Sequence, residues 1–553
     1  MDSRLKKNNQ SRDKIKSNSP INISELWKNK QFLYPLSMVL ILTAVIYSRT
    51  LENEILSWDD HWHITYNADI HSLSTKNIKT IFSSYYSNMY HPLVTLSFAI
   101  EYELFGLNPT AYHATNVLFH LGNIILVFFL TLCLSRRREI AIIAACLFGI
   151  HPMHVESVAW ITERKDVLYA FFYLSGLILY YHFVLKGEKK YYWITILFFL
   201  LSLFSKATAI TFPAAILLLD YYLGRKINRK FLIEKIPLFV MSIIFSIVSL
   251  HTQSDTTSFE IFEQFNLTDR FFFASYSICY YLIHLFVPIN LSAFHSMPEK
   301  YQGYLPIDYY LAVIPIIFLI LIGFKKSKLQ KEYIFGIAFF LISLSLNIHI
   351  IPFGKAIVAE RYTYLPYIGI YYLIGQTYCY FIERFQSLLH LKKVIYLIGT
   401  CVVIVFGFIT FQRIAVWKNT LTLFDDASLK ANSTKEAVTI QALGFILEAE
   451  NKTNARKYTE AIELYDRAIL LNPQRVESYS NRGIAKHCLL DYEGAMKDYS
   501  KAIELNPSFS RAYANRAAIH LVQNRLSEAC SDLRKAYDLG LTGVLPTIQA
   551  NCY

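Results

Sequence analysis

Residues 113–134 decide the fold class, because they form a long apolar stretch whose centre reads Ile124-Ile125-Leu126-Val127-Phe128-Phe129-Leu130. Its length is close to the roughly 20 residues that a helix needs to cross a bilayer. Apolar stretches recur along the chain at 33–49, 113–134, 139–153, 166–185, 192–204, 207–223, 232–251, 271–289, 308–324, 333–351, 362–383 and 393–412. The sequence therefore predicts an all-α protein in which residues 31–412 form a polytopic membrane domain.

The composition supports a membrane protein and excludes a nucleic-acid-binding one. Of 553 residues, 54% are hydrophobic and only 17% are charged, whereas soluble proteins average about 25% charged residues. The formal charge is +12, but the Lys and Arg residues lie in short clusters between apolar stretches, as topology determinants do. The polar, basic residues 1–30 are expected to form a cytoplasmic tail.

Basic loops orient the membrane segments. The clusters at 225–230 and 325–331 both belong in the cytoplasm under the positive-inside rule, yet three apolar stretches separate them. We expect the Tyr- and Phe-rich stretch 271–289 to lie at the interface instead of spanning. About eleven spans then remain, which places the external loop 50–112 and the C-terminal region on the non-cytoplasmic side.

The C-terminal region is polar and repetitive. Alanines recur at intervals of 34 residues, and an aromatic residue and an Asn-Pro pair recur with them: Ala461, Ala495 and Ala529; Ala468, Ala502 and Ala536; Tyr465 and Tyr499; Asn472-Pro473 and Asn506-Pro507. This spacing is typical of tetratricopeptide repeats, an α-solenoid whose groove binds peptides or proteins. We predict a linker at 413–441 and repeats over 442–553, with units at 442–475, 476–509 and 510–543.

The cysteines give no structural signal. Five of the eight lie within apolar stretches, and none has CxxC spacing. Neither a zinc site nor a disulfide framework is therefore indicated.

Ionisable residues close to membrane segments are candidates for function, because charge at membrane depth is costly. The first are Asp59 and Asp60, in the external loop just after the first apolar stretch. For the loop residues His61, His63, His71 and His91 we favour a simple interfacial position. The remaining candidates are His113, Asn116, His120, His151, His154, Glu156, Arg164, Asp166, Lys206, Glu360 and Arg361.

Two of these sites allow more than one interpretation. His151, His154 and Glu156 could bind a divalent metal, contact a polar substrate or phosphate, or form structural hydrogen bonds. Pro152 disfavours a regular helix there, and the spacing does not place all three on one helical face, so no metal ligand is assigned. Lys206 could contact a phosphate or extend to the interface.

Several motifs together resemble the transmembrane and tetratricopeptide-repeat-containing (TMTC) O-mannosyltransferases. The motifs are Trp58-Asp59-Asp60, Gly106-Leu107-Asn108-Pro109, Tyr112-His113-Ala114-Thr115-Asn116, His151-Pro152-Met153-His154-Val155-Glu156, Arg164-Lys165-Asp166 and Ala359-Glu360-Arg361-Tyr362-Thr363-Tyr364. Membership would imply the GT-C architecture and transfer of a hexose, expected to be mannose, from a polyprenyl-phosphate carrier to protein Ser or Thr. The chain departs from the family pattern in having fewer repeats and in carrying His91-Pro92 where Arg-Pro is expected.

The resemblance implies an inverting displacement, and the residue types suit it. An acceptor hydroxyl needs a base, for which we expect Asp59 or Asp60. The leaving lipid phosphate needs a cation, for which Arg361 is the first candidate, Arg164 the second and Lys206 another. The other polar candidates would contact substrate or support the structure.

Two other functions remain open: transfer to a lipid or surface polysaccharide, and a non-catalytic membrane scaffold that recruits proteins through the repeats. The Lys- and Ile-rich composition favours a bacterial inner membrane with the active site and repeats in the periplasm, or an endoplasmic reticulum membrane with a lumenal site if the host is eukaryotic.

Overall fold

The computed structural model describes residues 29–253, 264–317, 329–350, 356–385 and 387–552. Within these ranges all regular structure is helical and no β-strand occurs, which confirms the all-α prediction. The chain forms two compact units. Unit 1 comprises Met1–Glu54 and Trp62–Ala415, and unit 2 comprises Ile55–His61 and Val416–Tyr553. Nearly all of the predicted tail at 1–30 lies outside the described residues.

Unit 1 contains the apolar helices. They are α1 (Lys30–Tyr47), α2 (Thr75–Ser83), α3 (Pro92–Phe105), α4 (Pro109–Ser135), α5 (Arg138–Ile150), α6 (Val155–Ala159), α7 (Arg164–Lys186), α8 (Lys189–Leu203), α9 (Phe212–Leu223), α10 (Arg229–Gln253), α11 (Leu267–Phe286), α12 (Ile307–Leu311), α13 (Gln330–Leu344), α14 (Tyr367–Arg384) and α15 (Leu389–Val416). Helix α4 packs against both α5 and α7, and α14 packs against α5 and α13. Short 3₁₀ turns at Ile161–Glu163, Ala207–Thr211 and Glu360–Thr363 contain or directly adjoin several of the candidate residues.

The prediction of about eleven spans is not confirmed. Five described helices are long and apolar enough to cross a membrane, and a sixth is obtained if α5 and the segment Pro152–Ala159 form one bent span. Several apolar stretches instead form shorter helices, such as α8 with 15 residues. A helix of that length extends roughly 22 Å, less than the about 30 Å of a bilayer core. An apolar stretch therefore predicts a helix more reliably than it predicts a span.

The chain bends by 57° between α5 and the segment that follows it. Pro152 lacks an N–H group, and the preceding His151 adopts an extended conformation with ψ 129°. The last carbonyl groups of α5 consequently lose their helical partners. Three side chains replace them: His154 Nδ1 lies 2.8 Å from Phe148 O, His120 Nε2 lies 3.1 Å from Gly149 O, and Thr410 Oγ1 donates to Ile150 O at 2.7 Å.

Helix α4 carries a buried polar face. His113, Asn116, His120 and Asn123 are spaced three or four residues apart, so they lie on one side of the helix, and all four are buried. Asn116 donates to Trp160 O at 3.0 Å, and Asn123 donates to Val167 O at 2.8 Å. Polar groups of this kind hold α4 to the chain around α7.

Unit 2 is a stack of antiparallel helices. They are α16 (Thr420–Leu429), α17 (Thr434–Asn454), α18 (Tyr458–Leu471), α19 (Val476–Cys488), α20 (Tyr492–Leu505), α21 (Ser510–Val522), α22 (Leu526–Asp538) and α23 (Leu545–Asn551). Successive helices pack on one another from α16 to α22. The segment predicted as a linker, 413–441, thus contains α16 and the start of α17.

The repeated alanines and aromatics fill the space between paired helices. The six alanines that recur at intervals of 34 residues are all buried, as are Tyr465, Tyr499 and Leu533. Gly483 shows why small residues are needed, because a Cβ atom there would lie 2.6 Å from Cε1 of Tyr499. The repeat pattern in the sequence is therefore a packing pattern in the structure.

A disulfide joins Cys530 of α22 to Cys552 after α23, with the Cα atoms 5.5 Å apart. The cysteine spacing had indicated no disulfide framework, and it gave no sign of this single pair. The two cysteines are 22 residues apart and belong to no motif, and they meet only because α23 folds back against α22.

Candidate functional site

Six charged side chains of unit 1 meet in one network, which we call the charged cluster. They come from α6, the turn before α7, the start of α7, the turn before α9 and the Glu360–Thr363 turn, and they are Glu156, Glu163, Lys165, Asp166, Lys206 and Arg361. Four of them were predicted site residues.

Arg361 joins two carboxylates of the cluster. Its Nη1 donates to Glu156 Oε1, and its backbone N–H donates to Glu156 Oε2 at 2.9 Å. Its Nε lies 3.5 Å from Glu163 Oε1. The guanidinium also lies over the ring of Trp160, 5.7 Å from the centroid. Glu156 therefore fixes both the backbone and the side chain of Arg361.

Glu163 is the centre of the cluster. Its carboxylate lies 3.1 Å from Lys165 Nζ and 3.8 Å from Lys206 Nζ. Lys206 also donates to Asp166, which accepts a second hydrogen bond of 3.1 Å from Ser157 Oγ. Burial opposes the charge on Lys206, but the carboxylates of Asp166 and Glu163 raise its pKa. The lysine is therefore held as a cation.

The charges are not evenly exposed. The carboxylate side chains are enclosed, with exposed fractions of 1% for Glu156 and Glu163 and 2% for Asp166, whereas Arg361 and Lys206 are 19% and 15% exposed. Arg361 and Lys206 thus form the accessible face, whereas the carboxylates and Lys165, which is 8% exposed, lie behind them. Such a face attracts an anion while each cation stays paired.

Arg164 lies in a different environment from Arg361. Its side chain is fully enclosed, and its guanidinium makes five hydrogen bonds. The acceptors are both Glu101 oxygens at 3.0 Å, Tyr112 O at 2.8 Å, Ser97 Oγ at 3.2 Å and Asn116 Oδ1. A guanidinium has five N–H donors, so Arg164 has none left for a ligand in this arrangement.

The trio proposed for a metal is used otherwise. His151 Nε2 lies 3.0 Å from Leu285 O and its Nδ1 accepts from Met153 N–H, while His154 contacts the end of α5 and Glu156 contacts Arg361. Among the described residues, no group of three or more His, Cys, Asp or Glu side chains is arranged to hold a metal ion. The contacts of the two histidines are structural hydrogen bonds to backbone.

Glu360 lies outside the cluster although it neighbours Arg361 in sequence. Its carboxylate accepts from Arg413 Nη2 at 3.0 Å, and both side chains are buried. This pair joins the Glu360–Thr363 turn to α15, and so it holds the turn that presents Arg361.

Asp59 and Asp60 belong to the segment Ile55–His61 of unit 2. Within that unit, the Ser57 N–H donates to Thr420 Oγ1 at 2.8 Å, and the Ser57 hydroxyl donates to Glu448 Oε2 at 2.9 Å. Asp60 is buried, and its Oδ2 accepts from Leu56 N–H at 3.1 Å, whereas Asp59 is partly exposed. The two carboxylates therefore differ in accessibility.

Glu163, Lys165 and Glu101 were among the ionisable residues of the predicted external segments but had no predicted role, although Glu163 is the centre of the cluster and Glu101 holds Arg164. Glu163 and Lys165 flank Arg164 in the sequence, so charge density alone offered a signal for them. Nothing in the sequence connects Glu101 with Arg164, because 63 residues separate the two.

Comparison with protein families gives two matches. Residues 91–252 match the family described as dolichyl-phosphate-mannose-protein mannosyltransferase, and residues 476–509 match the tetratricopeptide repeat. The first match contains five of the six residues of the charged cluster. The chain thus combines a mannosyltransferase-like membrane region with tetratricopeptide repeats.

The curated relatives are protein O-mannosyl-transferases. Mouse TMTC1 is 32% identical over 148 residues, which cover 25% of this chain and 16% of the mouse protein. A Caenorhabditis elegans protein O-mannosyl-transferase is 26% identical over 359 residues, covering 63% of this chain and 49% of that protein. The chain thus spans less than half the length of these relatives. These matches confirm the resemblance to the TMTC proteins.

Two solved structures give weaker likenesses. The oligosaccharyltransferase of Archaeoglobus fulgidus is 10% identical, with a TM-score of 0.41, over 79% of this chain and 59% of that chain. The first TPR of Spaghetti (RPAP3), bound to an HSP90 peptide, is 26% identical, with a TM-score of 0.19, over 20% of this chain and 93% of that chain. At these TM-scores neither likeness bears on the function.

Proposed function

We propose that the protein is an inverting membrane glycosyltransferase of the GT-C type, which moves a mannose from a polyprenyl-phosphate carrier to Ser or Thr hydroxyls of proteins on the non-cytoplasmic face. The observation that carries the proposal is the uneven exposure of the charged cluster, with cations in front and carboxylates behind. The match of residues 91–252 to a mannosyltransferase family supports the same chemistry.

The donor phosphate is assigned to Arg361 and Lys206. As the bond to the anomeric carbon breaks, negative charge grows on the phosphate, and fixed cations stabilise it without rearranging. Glu156, Glu163 and Asp166 hold these cations in place. Arg164, whose five donors are occupied, acts as a positioning residue that joins α3, α4 and α7.

The general base is assigned to Asp59. A base has to reach the acceptor hydroxyl, and Asp59 is the more accessible carboxylate of the pair. Asp60 accepts a backbone hydrogen bond and orients the segment. In the proposed reaction the acceptor hydroxyl loses its proton to a carboxylate base, its oxygen forms the bond to the anomeric carbon, and the lipid phosphate leaves with the electrons of the broken bond.

The repeats are proposed to bind the acceptor protein or a partner on the non-cytoplasmic side. The Cys530–Cys552 disulfide supports this location, because disulfides persist in oxidising compartments and are rare in the cytosol. A thiol-labelling experiment in intact cells tests it. We expect neither cysteine to react before reduction, and free thiols at both positions would contradict the assignment.

The central experiment measures transfer of radiolabelled mannose from polyprenyl-phosphate mannose to a Ser/Thr peptide by the purified full chain in nanodiscs. We expect Asp59→Asn to lower the rate by roughly 100-fold or more, the scale of general-base loss. Asp308→Asn is the matched control, because it removes the same charge from an exposed helix start and should leave the rate unchanged.

The outcomes separate the alternatives. If mannose is transferred to a lipid or polysaccharide but not to the peptide, the protein is still a glycosyltransferase, but its acceptor differs from the one proposed. No transfer to any acceptor by the wild-type protein would favour a scaffold. Wild-type rates in Asp59→Asn would remove Asp59 from catalysis.

A further inference from the structure

Two buried histidines of unit 1 have ring nitrogens without partners. His63 is 1% exposed and His91 is 3% exposed. Among the described residues, three of their ring nitrogens have no hydrogen-bond partner: Nδ1 and Nε2 of His63, and Nε2 of His91. Buried polar groups are nearly always hydrogen-bonded, so orphans of this kind need an explanation. The sequence had suggested only interfacial loop residues here.

The two rings lie together. Their centroids are 5.0 Å apart. His63 is part of a short π-helical turn, His61–Thr65, and His91 directly precedes α3. Single π-helical turns are frequently found at functional sites.

The pair lies beside the charged cluster. Leu93 N–H, at the start of α3, donates to Phe204 O at 3.2 Å, and Lys206 follows two residues later. Burial is the largest cause that lowers the pKa of both His91 and His63. The positive charge of Lys165 lowers both pKa values further, and the negative charge of Glu163 raises them. Both rings are therefore within electrostatic reach of the Lys165–Glu163 pair.

The chemistry of the pair favours a neutral, hydroxylated ligand. Burial lowers the pKa of His91 to about 3, so its ring is neutral near pH 7. A neutral imidazole has one N–H donor and one acceptor nitrogen, and a sugar hydroxyl likewise donates and accepts. The ammonium group of Lys165 disfavours a metal ion, and neutral rings give an anion little attraction.

We propose that His63 and His91, next to Lys165, bind the hydroxyl groups of the donor sugar. This inference rests on the proposed function, in which Arg361 and Lys206 hold the phosphate of the same donor. The site then has two parts: cations for the phosphate and neutral imidazoles for the sugar. The histidines are substrate-binding residues and exchange no proton in the reaction.

The test compares two lipids, polyprenyl-phosphate mannose and bare polyprenyl phosphate, binding to the full chain in nanodiscs. His63→Phe and His91→Phe keep a ring in each position and remove the nitrogens. We expect each variant to bind the mannose-bearing lipid about tenfold more weakly, the scale of one lost hydrogen bond, and to bind the bare lipid as the wild type does.

His182→Phe is the matched control. His182 is also a buried histidine of unit 1, but it lies 16 residues beyond Asp166 along α7, roughly 24 Å by helical rise. We expect it to bind both lipids normally.

Three results would overturn the inference. Equal weakening for both lipids would assign the histidines to the fold, and unchanged binding of both would mean that they contact no sugar. Failure of the wild-type protein to bind either lipid would overturn the proposed function, and this inference with it.

Discussion

The ion pairs of the two units are built on different plans. In unit 2, Arg482 forms a two-point pair with Asp498, with distances of 2.9 and 2.6 Å, and Arg516 does the same with Asp532, with both distances 2.8 Å. We call these the repeat ion pairs, because each lies 34 residues from its counterpart. In unit 1 the charged cluster draws its members from separate segments of the chain.

This difference distinguishes a structural ion pair from a candidate binding site better than the degree of burial does. Asp498 and the carboxylates of the cluster are all nearly enclosed. What differs is connectivity, since a repeat ion pair joins the two helices of one unit, whereas Glu163 alone meets three cations. A pair that recurs with the repeat holds helices together. A network that brings unrelated segments to one accessible face is suited to a ligand.

The largest effect is expected at Arg164, which belongs to unit 1 but resembles a scaffold pair because its donors are all occupied. Arg164→Met leaves the buried Glu101 without its partner, and breaking such a pair costs about 3–5 kcal/mol of unfolding free energy. Thermal unfolding in detergent would measure the loss. Arg164→Met combined with Glu101→Met should recover much of it, and a double variant as unstable as the single one would contradict this assignment.

The next effect concerns activity and tests the cluster directly. Arg361→Ala should lower the rate of mannose transfer by about 100- to 1000-fold, the scale seen when a preorganised charge-stabilising group is removed. Arg482→Ala is the control, because it removes an equally paired arginine from the repeats. With a short peptide acceptor we expect it to keep the wild-type rate, and equal losses in both variants would break the distinction between the two plans.

A smaller effect tests the repetition itself. Arg482→Ala and Arg516→Ala each remove a charged two-point pair that is worth about 2 kcal/mol. Arg482 Nη1 also forms an exposed ion pair with Asp466 at 2.6 Å, where Arg516 Nη1 instead donates to Ser500 Oγ at 3.2 Å. Because the two-point pairs occupy equivalent positions and an exposed ion pair adds at most about 1 kcal/mol, we expect the two losses of unfolding free energy to agree within about 1 kcal/mol. Hydrogen exchange of the repeat helices in the full chain would measure both. Clearly unequal values would show that position in the stack outweighs the local pair.

The smallest effect tests a helix cap in the repeats that involves no ion pair. Asp491 accepts from Gly494 N–H at 2.9 Å and caps α20. Asp491→Ala should cost about 1 kcal/mol and leave peptide mannosylation unchanged. The same exchange measurement applies, with Glu493→Ala as the control for a nearby exposed carboxylate. A loss larger than that of Arg482→Ala would reverse the expected order.

The repeats could be predicted closely because their signal is local. Each unit repeats the same residues at an interval of 34, and the buried alanines with Tyr465 and Tyr499 occupy the positions that this interval assigns. The helical class of unit 1 also followed from composition. The span number did not follow, because the break after α5 and the short helix α8 depend on packing and on Pro152, not on apolar content.

The site could be predicted only in part. Arg361, Lys206, Asp166 and Glu156 were all candidates, and the structure brings them together. The ranking of Arg361 before Arg164 had no physical basis in the local sequence, since both follow a glutamate in a polar motif. What separates them is Glu101 and Asn116, which lie 63 and 48 residues from Arg164. Contacts over such distances are fixed by how α3, α4 and α7 meet, which no single-sequence pattern encodes.

The polar face of α4 also affects the order in which contacts can form during synthesis. His120 Nδ1 lies 2.8 Å from the Tyr364 hydroxyl, 244 residues further along the chain, and Asn123 donates to that hydroxyl at 3.1 Å. During synthesis, which proceeds from the N-terminus at about 5–20 residues per second, α4 therefore emerges long before its lasting partners exist. For that interval its amide and imidazole groups depend on water or on an insertion factor. The burial of this strongly apolar helix is therefore completed only after the chain has been made as far as Tyr364.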